Sequence, residues 1–400
     1  MNHRILPLIL LPMMFAACTG DDPADGDTAI ATDGTDGTGP ETGDDDDGGD
    51  GDGDGEPLAG LPILGDATHD IANLDVTIIS TPDDGLNFPT DLEFKPGVPG
   101  ELWVTNRQDF SIVVYQAAGQ PGQASMKFQS EFDNGAHFLA KPAALAFGDN
   151  GNFATAQQEN GVTQPGDPVD GSFMGPTLWT SNLADFNAGH QGHLDMLHNS
   201  PLASGIAWEA ENTYWVYDGT HGSLTRYKFN KDHGLGGTDH TDGEIYRYAN
   251  GALGYEHSIP SHVVFDHSST YVYAADTQNG LIVRLDPTTA NTGNLISPNY
   301  DGCQMNYMDD AELIVLVDGA GLEAPMTKPS GLELVGDVLF VSDPIEGRVY
   351  GFDLDGTVLD WLDTGLPPGS LMGMAFDDEG NMWIADAAAN QVRKFSVPAG

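Results

Sequence analysis

The feature that most limits the fold of this chain is a repeated string of short strands. From Pro89 onward the sequence returns to a proline-led opening: "PTDLEF" at Pro89, "PAALAF" at Pro142, "PLASGI" at Pro201, "PSHVVF" at Pro260, "PSGLEL" at Pro329, then a proline-poor "LMGMAF" at Leu371. Behind each opening come the same parts, clearest in the fifth unit as "PSGLELV", "GDVLFVSD", "GRVYGFD" and "GTVLDWLD". These runs are rich in β-branched and aromatic residues, they end in Asp, Asn, Gly and Ser turns, and they carry no helical period of useful length. Four antiparallel strands in each of six units leave every sheet with two faces to cover. The arrangement that covers them all is a closed ring, an all-β, six-bladed β-propeller. A ring needs a latch. "NLDVTIIST", residues 73 to 81, precedes the first full unit and is expected to become the outermost strand of the last blade.

The residues before the ring differ in kind. "MNHRILPLILLPMMFAAC", residues 1 to 18, joins a short basic start at Arg4 to an apolar run from Ile5 to Ala17, too short for a permanent span and interrupted by Pro7 and Pro12. It reads as an export signal. "FAAC" resembles a bacterial lipobox, with Phe15 where leucine is usual, which implies that Cys18 is lipidated and becomes the mature N-terminus. Residues 19 to 56 contain no lysine or arginine and almost no apolar side chain, so they cannot bury enough surface to offset their ordering entropy. They are expected to form a disordered, extended Asp/Gly-rich tether, with the propeller following over 57 to 400. "DGDGDGE" from Asp50 places Asp50, Asp52, Asp54 and Gly55 as an EF-hand loop would, but the twelfth position is Leu61, where a bidentate Glu is needed.

With 61 acidic against 14 basic side chains, a formal charge of -47, the chain repels nucleic acid and anionic lipid. Cations, cationic peptides and neutral ligands remain as partners. Several enzyme signatures are missing: no GxSxG elbow, no P-loop and no CxxC occurs, and Cys303 is a lone thiol if Cys18 is lipidated.

The units resemble NHL repeats, whose blades have a proline-led inner strand, an aromatic-Val-Ala-Asp second strand and an Asn/Arg-containing third. The match runs over most of residues 73 to 397 and is best in blades four to six; blade two is split by an insertion after "NFATAQQ". Such propellers include scaffolds, ligand binders and a few enzymes, so the resemblance implies a fold and leaves the activity open. Peptidylglycine amidating lyases are propellers of this type whose zinc is held by histidines near the axis, one in a "PHSLA"-like opening. Here "PSHVV" sets His262 one residue later, and the matching slots of the other blades hold Asp91, Ala144, Gly205, Gly331 and Gly373. Gluconolactonase-like propellers open on an acidic "EGP" with a metal-ligating Glu, for which only Asp91 could stand in.

Strand alternation assigns His262 and the loop residues His137, His198, His221 and His257 to one face of the ring, and His190, His193, His233, His240 and His267 to the other. His198, His221 and His262 are thus a candidate zinc site at the channel mouth, set against a reading in which His262 packs between blades and the loop histidines are solvated. A second constellation lies in "NKDHGLGGTDHTDGE": Asp232, His233, Asp239, His240 and Asp242 crowd a glycine-rich loop, suiting a structural Ca2+ or Zn2+, or a hydrogen-bonded loop without metal. Asp218, Asp276, Asp343 and Asp386, with Asn106 and Asn182, are expected to end second strands and satisfy turn amides. Glu93 and Glu333, two residues beyond the special slot, are placed to face the channel. The expectation is an exported, monomeric lipoprotein on the outer membrane, with Thr19 rather than Asp after Cys18, whose propeller binds a ligand or protein. The alternative is a metal-dependent lyase or hydrolase at the channel.

Overall fold

The computed structural model describes residues 60–129, 138–162, 173–187 and 192–399. The signal segment 1–18 with Cys18, the tether 19–56, His137 and His190 lie outside the described residues.

The chain folds into six sheets that ring a central channel. The inner strands are Pro89–Phe94, Pro142–Phe147, Ala203–Ala210, Val263–Phe265, Leu332–Val335 and Leu371–Phe376, and each touches the next, with the last touching the first. Second strands such as "LWVTN", "TYWVYD", "VYAAD" and "MWIAD" are buried along their whole length. A strand covered by a neighbouring blade on both faces has no solvent side, so its sequence is a continuous apolar run. The core divides accordingly into six apolar clusters, each lying between two adjacent blades. Trp103, Ile112 and Val114 of blade one, for example, pack on Leu145, Phe153 and Trp179 of blade two.

The ring closes as the sequence predicts. Asp75–Ile78 pairs antiparallel with Gln391–Ser396, setting Val76 opposite Phe395, and the latch continues through Ile79, whose N–H donates to the Val392 carbonyl at 2.8 Å. Asp218, Asp276, Asp343 and Asp386 end their second strands and accept from turn amides, as expected; the Asp343 carboxylate alone accepts from the N–H groups of Thr327, Lys328, Ile345 and Glu346. In blade two the slot opposite the leading proline is Gln157, not Asn182. Asn182 instead caps the short helix Leu183–Phe186 by accepting from the Ala184 N–H.

Two segments depart from four strands per blade. In blade two, residues 158–176 separate the second strand, Asn152–Gln157, from the third, Thr177–Thr180. In blade four, a hairpin of Asn291–Leu295 and Gln304–Asp309 intervenes between the third strand, Leu281–Asp286, and the fourth, Glu312–Asp318. This hairpin joins blade three, where Gln304–Asp309 lies parallel to Glu244–Tyr248 and makes a six-stranded sheet.

Candidate functional site

The six equivalent slots on the inner strands meet at a throat in the channel. Glycine is required at three of them by close approach: a Cβ on Gly205 would lie 2.0 Å from the Ser261 carbonyl, one on Gly331 2.3 Å from that of Met372, and one on Gly373 2.5 Å from Asp91 Oδ1. Blades one and four stand opposite each other in a six-membered ring, so the two large residues of the set, Asp91 and His262, meet across the axis. Asp91 Oδ1 and His262 Nδ1 are 3.5 Å apart. Burial pushes Asp91 well above the usual carboxylate range, with a further push from Glu93, and holds His262 down to about 4. His262 is therefore uncharged near pH 7, and burial disfavours the charged form of Asp91 beside it. Together they plug the channel.

Above this plug lies a cavity of about 330 Å3 that extends to the turns between first and second strands, where His267 and Gly336 sit. Its mouth is thus at the opposite end of the channel from the loops of His198 and His221. Phe147, Trp208, Phe265 and His267 supply aromatic wall, and Asp91, Glu93 and Glu333 supply carboxyl groups; among the described residues no lysine or arginine lines it. The His267 ring lies 5.0 Å from both Trp208 and Phe265. Asp91 and Glu93 also stitch blade one to blade two, accepting from the N–H groups of Leu145 at 2.8 Å and Phe147 at 3.2 Å. The Glu333 carboxyl, by contrast, makes no hydrogen bond among the described residues. Enclosure raises Glu93 to about 8, and enclosure with the nearby Glu93 charge raises Glu333 to about 8.

The proposed zinc triad is not assembled. His198 Nδ1 is 2.6 Å from Asp301 Oδ1, a residue brought in by the blade-four hairpin, and His221 Nδ1 is 2.8 Å from the strand-ending Asp218. With His262 committed to the throat, these three rings share no ligand sphere, so the residues do not fit a channel-mouth zinc. In the blade-three loop, Asp232, Asp239 and Asp242 cap their own turns, accepting from Gly234, Thr241 and Lys231 respectively. His233 and His240 do converge, but with Asp195 from blade two, which loop spacing could not reveal.

No protein-family model matches the chain, and no curated protein sequence matches it. By structure it is similar to an auxiliary nutrient binding protein from Bacteroides ovatus, at 12% identity and a TM-score of 0.51, covering 82% of this chain and 77% of that one. It is also similar to a protein of unknown function from Bacteroides thetaiotaomicron, at 14% identity and a TM-score of 0.53 over 81% and 76% of the two chains. A luciferin-regenerating enzyme matches at 9% identity and a TM-score of 0.51, over 81% of this chain and 95% of the other. These likenesses agree with the fold, a six-bladed β-propeller.

Proposed function

We propose that this chain is an exported binding module, tethered to the outer membrane through Cys18, whose channel cavity takes a small organic cation. The observation that carries the reading is Glu333, a half-buried carboxyl group in a cavity with two further acids, facing aromatic wall and given no partner by the described residues. A cationic ligand supplies the missing counter-charge, lets the carboxyls ionise, and stacks its charge on Trp208 and Phe265. The volume is that of a small-molecule site, and the plug at the throat makes it a closed-ended pocket rather than a pore. The Bacteroides ovatus propeller of the same fold is named for nutrient binding, which agrees with a binding role. A metal-dependent lyase or hydrolase has no comparable support, because among the described residues the channel brings no histidine triad together.

Calorimetric titration with ethanolamine, putrescine and choline tests the proposal. At least one should bind, and repeating the titration in buffers of different ionisation enthalpy should show protons released near pH 7, because binding pulls the Glu93 and Glu333 pKa values down from about 8. Affinity should rise with pH toward 8 and fall at least tenfold in Glu333→Gln. Binding of neutral polyols in preference to amines, or uptake without proton release, would contradict it.

A further inference from the structure

The loop between the third and fourth strands of blade three reaches onto blade two. The N–H of His233 donates to the Leu194 carbonyl at 3.0 Å, seating the loop on the outer strand His193–Met196. There Asp195, His233 and His240 each bring a ligand atom within 4.8 Å of the others. A carbonyl can only accept, so the 2.6 Å contact of His233 Nδ1 with the Gly234 carbonyl places the ring proton on Nδ1 and the lone pair on Nε2. That Nε2 is buried and makes no hydrogen bond in the structure. Asp195 is wholly buried; its Oδ1 accepts from His240 Nδ1 at 2.8 Å and from the Met196 N–H, while Oδ2 is likewise unsatisfied. The His233 ring is held from behind, since a Cβ on Gly237 would come 2.6 Å from its Nδ1.

We propose that Asp195, His233 and His240 bind a first-row divalent transition ion of the zinc type, fastening the blade-three loop to the outer strand of blade two. Buried acceptors left unmade are costly, and two of them beside a third ligand are satisfied together by a cation. Two imidazoles and one carboxylate suit zinc, whereas calcium takes six or more oxygens. Asp232, Asp239 and Asp242, which share an open cleft with His233, give the ion an acidic approach rather than ligands. None of the three ligands lines the channel cavity, so this site holds or fails independently of the binding role.

The test uses the full chain, stripped with EDTA and titrated with zinc chloride against a chelating dye in excess calcium, which occupies the acidic tether. One equivalent of zinc should bind and raise the melting temperature, and Co2+ should give the visible absorption of a low-coordinate nitrogen–oxygen site. Asp195→Asn and His233→Ala should each weaken zinc binding by about 100-fold, while His233→Ala keeps the wild-type melting temperature in EDTA. No stoichiometric uptake, uptake unchanged in both variants, or displacement by calcium would overturn the site. If Asp195→Asn fails to fold, His233→Ala and the cobalt spectrum of the wild type decide.

Discussion

His262 is large where four of its five counterparts are alanine or glycine, and the reason is geometric. Only one diameter of the throat has room for side chains, and Asp91 and His262 fill it from opposite blades while Gly205, Gly331 and Gly373 press backbone against backbone. Enclosing acids beside this plug has a measurable consequence. For Glu93 and Glu333 the folded pKa, about 8, lies above the ordinary 4.5, so the folded state holds more protons than the unfolded chain between those values and stability falls as pH rises through them. Asp91 acts in the same direction. His262, held down to about 4, acts oppositely but only below its ordinary 6.5. From pH 6.5 to 8 His262 no longer opposes these acids, and each extra proton held by the folded state costs about 1.4 kcal/mol of stability for every pH unit climbed. The wild-type melting temperature should therefore drop over that window, and the double variant Glu93→Gln, Glu333→Gln should flatten the profile; equal slopes in the two proteins would show that these groups are already ionised. The carboxyls were legible as channel-facing from their place two residues past the slot. The histidine set was not, because face assignment by strand alternation fixes which end of a blade a residue lies at and says nothing of the partner its ring takes, Asp301 for His198 and Asp91 for His262.

At the scale of elements, the repeats announced themselves because the second strands are sandwiched and rich in apolar residues, ending in Asp in blades three to six, in Asn106 in blade one and in Gln157 in blade two. The latch was legible for the same reason: one surplus strand before the first unit has only one unpaired partner in the ring. The blade-four hairpin was not legible, since Asn291–Leu295 is largely exposed and Gln304–Asp309 buries only Met305 and Asn306, too little to mark it as a strand of blade three. Its physical role is to cover the edge strand Glu244–Tyr248, which would otherwise offer free N–H and C=O groups to another chain. Closure is where the ring is weakest in sequence terms, resting on a strand of four residues with Ile79 buried behind it. Replacing Ile79 by proline removes its bond to the Val392 carbonyl and leaves a hole in the cluster between blades six and one. A loss of at least ~3 kcal/mol is expected, read as a lower denaturant midpoint. An unchanged midpoint would mean that the latch contributes little to closure.

For the whole molecule the governing quantity is charge. Fifteen of the 61 acidic side chains lie in residues 19 to 56, where no basic residue balances them, which leaves 46 acids against 13 bases over residues 57 to 400. A fold carrying so large an excess repels itself, and it also draws cations toward a cavity lined by acids. Salt acts on these two effects with opposite sign. Screening, with a Debye length of roughly 10 Å at 0.1 M, relieves self-repulsion and should raise the melting temperature steadily with added sodium chloride. The same screening removes long-range attraction for a cationic ligand, so its association rate should fall over that range while the dissociation rate, set by contacts inside the cavity, changes little. Stopped-flow binding of the amine identified by calorimetry, measured beside thermal melts in the same buffers, separates the two effects. An association rate indifferent to salt would remove electrostatic steering, and with it the physical reason for placing three carboxyl groups around one closed-ended channel in so acidic a protein.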